Sequence, residues 1–577
     1  MIRFGSFEFD PELAELRKRG LKIHLAGQPV RVLALLLDRP GELLSREDLQ
    51  RELWPADTFV DFEHSLNAAM KRLRRALGDS PENPRFIETV PRRGYRFVAP
   101  VERPVSVGSA TRPVGIGSLA VLPFANAAAD ASTEYLTDGI TESIINSLSQ
   151  LSGVRVMARS TVFRYKDRHL DPRSVGRLLN VQAVLIGRVA PHGDSLVIGA
   201  ELVDVSSGWQ LWGEHYNRKL ADIFAVEEEI SREISGKLRI HLTGEDRSRL
   251  AKRFTFNTDA YADYLKGRYC LNKMTEAGLR DSIGFYKEAL RKDPGYALPY
   301  TGLAESYILS TFFPLKTPAE MMPRAKEAAL KALSLDDTLA EAHAALASVK
   351  KFHDWDWQGA EVECERALEL NPNYANGHRL YASLLGSRGR GEEALREILR
   401  AQELDPLSVV LAMEVAWHHY MRHDYEECID QALSTLEMEP AFASSHYILG
   451  LGYEQVGRFD EALAAFEKAR SAAPGPAPMA SLGHGLAISG RVPEAEAVLA
   501  DLTRMGEKAW VPPYFPALIS AGLGRTDQAL DALEDACRKR DPYMVWLKCD
   551  PRFDSLHGDP RFEGLLRRVG LASKAAP

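Results

Sequence analysis

Residues 63–77 combine basic and amide side chains at helical spacing, and no acidic residue occurs between Asn67 and Leu77. A surface helix usually mixes the signs of its charges, because opposite charges three or four residues apart stabilise it. A face of one sign is typical of a surface that binds a polyanion, and DNA phosphate is the usual candidate. A solvated basic face is the alternative. The candidate contact residues are His64, Asn67, Lys71, Arg72, Arg74 and Arg75.

A second basic pair lies in a segment that the sequence predicts to be a β-hairpin. Residues 86–98 read FIETVPRRGYRFV, so two β runs flank a turn that carries Arg92 and Arg93 at its tip. A basic helix followed by such a hairpin predicts a winged helix. In that arrangement the helix enters the major groove of DNA and the wing contacts the backbone or the minor groove. We assign Tyr95 and Phe97 to the core of this domain.

Short strands and three helices must position these residues. Loose apolar alternation over residues 2–25 predicts the strands. A first helix is predicted over 30–37, before Pro40 and Gly41. Ser45 is a good N-cap for a second helix, with Asp48 three residues on as a weak capping-box match. In the third helix an apolar stripe at helical spacing is predicted to pack on the core, and it consists of Leu66, Met70, Leu73 and Leu77.

Three stretches resemble the OmpR/PhoB-type winged-helix domain over nearly all of residues 1–100, namely RPGELLSREDLQRELWP, VDFEHSLNAAMKRLRRALGD and IETVPRRGYRF. The resemblance implies that the third helix is the recognition helix and that the arginines at 92 and 93 form the wing contact. Pro91 stands where many members carry arginine, and the form VPRRGY resembles the CadC/ToxR-type branch. Because this chain starts with the module and continues with a short polar linker, we expect neither phospho-aspartate switching nor a membrane anchor.

The C-terminal half contains an internal repeat. Its prolines are spaced 34 residues apart, at Pro372, Pro406, Pro440 and Pro474. This is the tetratricopeptide period. Small residues stand twelve and five positions before each proline, where they let two antiparallel helices approach closely. They are Ala360, Ala394, Cys428 and Ala462, then Ala367, Ala401, Thr435 and Ala469.

This pattern resembles the tetratricopeptide family over some 300 residues, with its best copy at Ala441–Pro474. It predicts about eight repeats over 258–540 and a terminal cap to about Leu571. Stacked pairs of this kind form a superhelix with a concave groove. The resemblance implies that a protein or peptide partner binds in the groove, and a spacer or dimerisation element is the alternative.

Residues 118–242 alternate strand-like and helical runs, which predicts a small α/β domain. The runs AVLPF and DGITE and the strand that ends at Asp204 resemble a TolB amino-terminal-like domain over about 120 residues. The resemblance implies a ligand- or protein-binding module without a catalytic constellation. Glu227, Glu228 and Glu229 are predicted to form a solvated helix face.

Length and composition limit the class of protein. A chain of 577 residues is too long for one hydrophobic core. The net charge of −8 does not suggest a nucleic-acid binder, but charge acts locally. No C-x-x-C pair, no signal-peptide core and no apolar run long enough for a membrane span occur, which predicts a cytoplasmic protein without a membrane anchor. Phosphate-loop, zinc-protease and serine-hydrolase motifs are absent, so we expect no catalysis, no metal and no cofactor.

The sequence therefore predicts a multidomain chain with an α+β winged helix over 1–100, a linker over 101–117, a small α/β domain over 118–242 and an all-α tetratricopeptide superhelix over 258–571. The predicted function is transcription regulation, with double-stranded DNA and a protein or peptide as partners and a homodimer on DNA as one possible state. One alternative is a non-catalytic scaffold whose winged helix binds protein. Another is an enzyme, which would need a buried acid–base or nucleophile pair in the middle domain.

Overall fold

A computed structural model of the chain contains two compact units, Met1–Val114 and Gly115–Pro577. The described residues are 2–5, 7–10, 15–18, 21–23, 25, 27–53, 62–81, 84–91, 93–101, 116–127, 133–151, 153–166, 168, 171–192, 195–219, 223–237, 255–312 and 316–572.

The described residues of the first unit form two antiparallel sheets and three helices. The first sheet is a meander of β1 (Ile2–Phe4), β2 (Phe7–Asp10), β3 (Glu15–Lys18) and β4 (Leu21–Ile23). The second consists of β5 (Leu43–Ser45), β6 (Ile87–Val90) and β7 (Gly94–Phe97), in the order β5-β7-β6. The helices are α1 (Gln28–Asp38), α2 (Arg46–Leu53) and α3 (Phe62–Leu77). Strand β5 was not predicted.

The core of this unit lies beneath α3. The predicted apolar stripe is buried, since Leu66, Met70, Leu73 and Leu77 expose 2% of their surface or less. Phe97 of β7 is equally buried and packs edge-to-face on Phe4 with ring centroids 5.2 Å apart. The apolar stripe therefore fixes which face of α3 points away from the core.

The second unit begins with a mixed sheet. Its strands are β8 (Ser118–Val121), β9 (Ala125–Asn126), β10 (Arg155–Val156), β11 (Ala183–His192), β12 (Ser195–Asp204) and β13 (Gln210–Lys219). The order is β10-β8-β11-β12-β13, with β9 paired to β11; the first three strands are parallel and the last three antiparallel. The helices are α4 (Glu134–Ser149), α5 (Arg159–Val162), α6 (Pro172–Leu178) and α7 (Ile223–Lys237). The predicted α/β class of this segment is confirmed.

From residue 255 to residue 572, the described chain forms eight helix pairs and a terminal segment. The first helices of the pairs are α8 (Thr258–Leu271), α10 (Ala297–Ser310), α12 (Ala340–Val349), α14 (Ala375–Ser387), α16 (Val409–Met421), α18 (Ala443–Gln455), α20 (Pro476–Ile488) and α22 (Tyr514–Gly522). The second helices are α9 (Glu276–Lys292), α11 (Pro318–Leu335), α13 (Trp357–Leu370), α15 (Gly391–Leu404), α17 (Tyr425–Met438), α19 (Phe459–Ala472), α21 (Val492–Gly506) and α23 (Thr526–Arg538). Among the helices that the structure describes, none has both the length and the apolar character needed to cross a membrane.

The 34-residue period sets where these helices end. Helices α13, α15, α17 and α19 each end two residues before a repeat proline. All the predicted small residues are buried, with Ala360, Ala394 and Cys428 at 0% exposure. The first helices of successive pairs contact one another throughout the array, whereas contacts between the second helices are sparser. The first helices therefore line the inner side of the curve.

The terminal segment contains a second, shorter repeat that the sequence analysis missed. Asp541, Asp550 and Asp559 are nine residues apart, and each is followed by proline. Each aspartate caps a helical turn, because its side chain accepts a hydrogen bond from the backbone N–H two residues on. The turns begin two 3₁₀ helices, Pro542–Trp546 and Pro551–Leu556, and α24 (Pro560–Val569). We call residues 541–571 the C-terminal segment.

The sheet and the helix pairs belong to the same unit and share buried polar contacts. Arg268 of α8 forms ion pairs with Glu142 of α4, at 2.5 Å, and with Glu305 of α10, at 3.0 Å. Glu227 of α7 is also buried, so the predicted solvated face is wrong at this position. Its two carboxylate oxygens accept hydrogen bonds from Ser143 and Tyr261, both at 2.7 Å.

Burial raises the pKa of Glu227 to about 7. A buried acid is one half of the arrangement that the enzyme hypothesis requires. Both of its oxygens, however, are engaged by hydroxyl groups that join α4, α7 and α8. The arrangement is a closed structural contact between the sheet and the first helix pair.

Candidate nucleic-acid interface

Helix α2, which precedes α3, starts where the sequence predicts. The Ser45 hydroxyl accepts a hydrogen bond from the Asp48 backbone N–H at 3.0 Å, and Asp48 accepts one from the Ser45 backbone N–H at 3.3 Å. This reciprocal pattern is a capping box with aspartate in place of glutamate. The hydrogen bonds from Ser45 lower the pKa of Asp48. The predicted start of α2 is confirmed.

Asn67 lies on the exposed face of α3 and joins it to the wing. Its side-chain oxygen accepts a hydrogen bond from the Tyr95 hydroxyl at 3.2 Å. The Arg46 guanidinium is 3.5 Å from the same oxygen and 3.3 Å from the Tyr95 hydroxyl, and it lies over the Tyr95 ring at 5.5 Å. Sequence reasoning missed Arg46, because it belongs to α2 and only the fold places it beside α3.

The remaining candidates on α3 differ in exposure. Lys71 and Arg75 are exposed and lie four residues apart, whereas Arg72 is half-buried. Side chains four residues apart on a helix share one face. Lys71 and Arg75 are therefore the two α3 cations that a phosphate backbone along this face would meet.

Arg74 has a different role from its neighbours. One guanidinium nitrogen donates to the Ile87 carbonyl at 2.9 Å and to the Thr89 hydroxyl at 2.7 Å. Both acceptors belong to β6, so this arginine ties α3 to the wing. This contact makes Arg74 a positioning residue of the wing, and its contact with DNA stays a prediction.

Two further residues hold the wing in place. The Asp79 carboxylate accepts hydrogen bonds from the backbone N–H groups of Arg85, Phe86 and Ile87, at 2.6, 3.3 and 2.9 Å, and so fixes the start of β6. Gly94, with φ of +154°, begins β7, and a Cβ atom there would lie 1.9 Å from the Leu44 carbonyl oxygen. Only glycine permits this approach of β7 to β5.

The wing tip carries Arg93, which is exposed. Its backbone carbonyl accepts a hydrogen bond from the Arg46 N–H at 3.2 Å, so the tip lies against the first residue of α2. Arg92 lies outside the described residues, and so does the side chain of His64. The structure thus brings Asn67 and Arg93 to the contact of α2, α3 and the wing and adds Arg46 there. Lys71 and Arg75 are exposed one and two turns further along α3.

The second predicted site, the groove of the repeats, is occupied by the chain itself. Trp546 of the C-terminal segment packs edge-to-face on Trp417 of α16, with ring centroids 5.4 Å apart. Trp357 at the start of α13 donates a hydrogen bond to the Val569 carbonyl at 2.7 Å. The C-terminal segment therefore lies along the inner side of the array.

Comparisons with known proteins match three parts of the chain to family models. Residues 20–97 match the C-terminal domain of transcriptional regulatory proteins, and residues 443–476 match a tetratricopeptide repeat. Residues 116–229 match the second domain of HilA/YgeH-like transcriptional regulators. The predicted TolB-like character of this middle segment stays a prediction.

Three curated relatives illustrate the similarity. A Rhizobium meliloti protein named "Putative adenylate cyclase 3" is 35% identical over 228 residues, which are 37% of this chain and 39% of that protein. The transcriptional regulator HilA of Salmonella paratyphi A is 26% identical over 420 residues, 71% of each chain. The cholera toxin transcriptional activator of Vibrio cholerae is 38% identical over 99 residues, 17% of this chain and 34% of that protein.

Solved structures of tetratricopeptide repeat proteins also match. The match to YrrB is 21% identical and covers 33% of this chain and 92% of YrrB. Its TM-score is 0.24, and we draw no conclusion from it. The family models and the helix pairs confirm the predicted fold class. The chain thus carries, in order, a winged-helix domain of the type found at the C terminus of transcriptional regulatory proteins, a HilA/YgeH-like second domain and tetratricopeptide repeats.

Proposed function

We propose that the protein is a cytoplasmic, non-enzymatic transcription regulator whose winged helix binds promoter DNA. The observation that carries the proposal is the exposed face of α3, where Lys71 and Arg75 lie one turn apart in a stretch of sequence without acidic residues, next to a wing that bears Arg93. In this arrangement α3 enters the major groove, and the wing contacts the backbone. Asn67 is the α3 side chain suited to a base edge, because an amide both donates and accepts hydrogen bonds.

A single winged helix covers a short stretch of DNA, so the proposal includes two copies on a repeated site. The repeats take a protein or peptide partner and couple it to this function. The adenylate cyclase relative shares 39% of its length with this chain, so its name assigns no cyclase activity here.

The first test is selection of genomic fragments by the purified full-length protein and by a Lys71→Ala/Arg75→Ala variant. We expect the wild type to enrich fragments that share a motif and the variant to lose that enrichment. On one selected fragment, the slope of log affinity against log salt should flatten by up to about 1.8, because each phosphate contact contributes roughly 0.9. Fluorescence anisotropy between 50 and 200 mM salt, a range of about fourfold, measures the slope.

The matched control is Arg280→Ala/Arg291→Ala, which removes two exposed arginines from α9 of the second unit. It changes net charge by the same amount and should leave the salt slope unchanged. Equal slopes for the wild type and the Lys71/Arg75 variant would remove this face of α3 from the DNA contact. Enrichment by neither protein would count against sequence-specific binding by the full chain.

A further inference from the structure

The C-terminal segment contacts the first helices of pairs that are not successive in the array, or residues next to those helices. Tyr543 packs on Phe312, just after α10, with ring centroids 6.4 Å apart. Cys549 lies 3.4 Å from the Gly386 carbonyl in α14. Arg552 donates to the Ser481 hydroxyl of α20 at 2.9 Å. The segment therefore follows the inner side of the array over most of its length, as a bound peptide would.

Defined contacts hold its two inner turns. The Asp541 carboxylate accepts a hydrogen bond from the Tyr514 backbone N–H at 3.1 Å, at the start of α22. The Asp550 carboxylate accepts one from the Tyr514 hydroxyl at 2.8 Å and pairs with Arg552 at 2.6 Å. Both aspartates are fully buried, so the inner side recognises the Asp-Pro turns themselves as well as apolar surface.

The apolar contacts follow the same spacing. Three residues after the first two aspartates stand Met544 and Phe553, each with 0% of its surface exposed. Trp546 contributes the contact with Trp417 and also lies 4.7 Å from the Lys351 ammonium, measured to the ring centroid. The pattern that is recognised is Asp-Pro-x-(Met or Phe), repeated after nine residues.

The array has its own source of stability. In a solenoid each repeat is stabilised mainly by contact with its neighbours. The buried small residues Ala360, Ala394 and Ala462 form such contacts between helices of the pairs. Successive first helices, such as α20 and α22, also contact one another directly, and the bonds to the C-terminal segment are additional to these contacts.

We propose that the inner side of α12 to α22 is a peptide-binding surface for paired Asp-Pro-x-(Met or Phe) turns and that the chain's own residues 541–571 are its bound ligand. A partner segment with the same pattern binds there by displacing them. This refines the partner-binding part of the proposed function and rests on that part, but it is independent of DNA binding. The attached segment competes at high effective concentration, so free peptide binds the wild type weakly.

The test uses the full-length protein and a fluorescent synthetic peptide of residues 541–571. In the Trp546→Ala variant, which weakens the attached segment, we expect the peptide to bind at least tenfold more tightly than in the wild type. The Trp209→Ala variant removes an exposed tryptophan outside the groove and should behave as the wild type does. A peptide with Asp550→Ala and Phe553→Ala should not bind. A folded Trp546→Ala variant that binds no more tightly would overturn the proposal.

Hydrogen exchange of the wild type tests the same point without any variant. If the C-terminal segment leaves the array without unfolding it, its amides are exposed to solvent more often than those of the array. Amides of residues 541–571 should therefore exchange at least tenfold faster than those of α14 to α20. Equal exchange rates in the segment and in these helices would mean that it unfolds only with the array, which would also overturn the proposal. Because neither measurement contains DNA, a failure here leaves the DNA-binding proposal untouched.

Discussion

Neighbouring arginines on α3 have opposite surroundings. Arg75 is exposed, whereas Arg74 donates hydrogen bonds to the Ile87 carbonyl and the Thr89 hydroxyl of the wing. Their types and spacing are equivalent in the sequence, because both lie off the apolar stripe. Only the proximity of α3 to β6 separates a residue that faces solvent from one that joins two elements.

This difference predicts opposite effects of two single substitutions. Arg74→Ala should lower the free energy of unfolding of the first unit by about 1–3 kcal/mol, since it removes charged hydrogen bonds to β6. Arg75→Ala, at an exposed side chain, should lower stability less than Arg74→Ala does and should flatten the salt dependence of DNA binding. Thermal melts and anisotropy titrations measure both quantities. A stable Arg74→Ala protein with a flattened salt slope would restore Arg74 to the DNA contacts.

Lys351 is a second residue whose role the sequence did not indicate. Its side chain is fully buried at the inner side of the array, near Ser383 and Trp546, and burial lowers its pKa to about 7. An unfolded lysine has a pKa near 10.4. Between these values the unfolded chain binds more protons, so stability rises with pH across that window.

Lys351→Met should therefore stabilise the second unit at pH 7, by roughly 1–4 kcal/mol. The advantage should shrink by pH 9, because the wild type gains stability with pH there and the variant lacks this gain. Urea unfolding of both proteins at pH 7, 8 and 9 provides the comparison. Parallel pH dependences in the two proteins would show that Lys351 keeps its proton when folded.

At the scale of elements, the sequence predicted helices and strands correctly where a regular spacing of residues marked them. The 3.6-residue stripe from Leu66 to Leu77 placed α3 correctly, and the prolines spaced 34 residues apart placed the ends of α13, α15, α17 and α19. The C-terminal segment was predicted only as a cap, because its nine-residue Asp-Pro period is not that of the helix pairs. Strand β5 was missed because three residues that pair with β7 leave no alternation to detect.

In two successive repeats, the residue before the repeat proline forms a hydrogen bond with the α/β part of the second unit. Asn371 and Asp405 each precede a repeat proline, and they contact Ser149 and Thr161 respectively. Asn373 adds hydrogen bonds from its side-chain amide to the Ser149 and Val154 carbonyls, both at 2.9 Å. The 34-residue repeat thus sets where the helices end and also where the array contacts the α/β part.

Asn373→Ala should loosen this contact. It leaves the carbonyl groups of Ser149, Leu151 and Val154 without their side-chain donor, so we expect the free energy of unfolding to fall by about 1–3 kcal/mol. Hydrogen exchange should accelerate in residues 149–158 and much less in α20 to α23. Asn376→Ala, at an exposed asparagine three residues on in the first turn of α14, serves as the control. Unchanged exchange in residues 149–158 would show that the other contacts suffice to hold the sheet.

At the scale of the whole molecule, the separate middle and repeat domains that the sequence predicts lie within one compact unit. Scanning calorimetry should therefore show two transitions. Enthalpy scales with residue number, so the transition of Gly115–Pro577 should carry roughly four times that of Met1–Val114. A third transition would instead support an independently unfolding middle domain.

The bond between Trp357 and Val569 also has a consequence for how the protein is made. Its two ends are 212 residues apart in the chain. At a synthesis rate of roughly 5–20 residues per second, Trp357 leaves the ribosome about 10–40 s before its partner is made. During that interval the inner aromatic surface is exposed on a nascent chain. A chaperone that shields aromatic surfaces should therefore bind ribosome complexes stalled near residue 540. It should release complexes in which an added C-terminal extension carries residue 571 out of the ribosome.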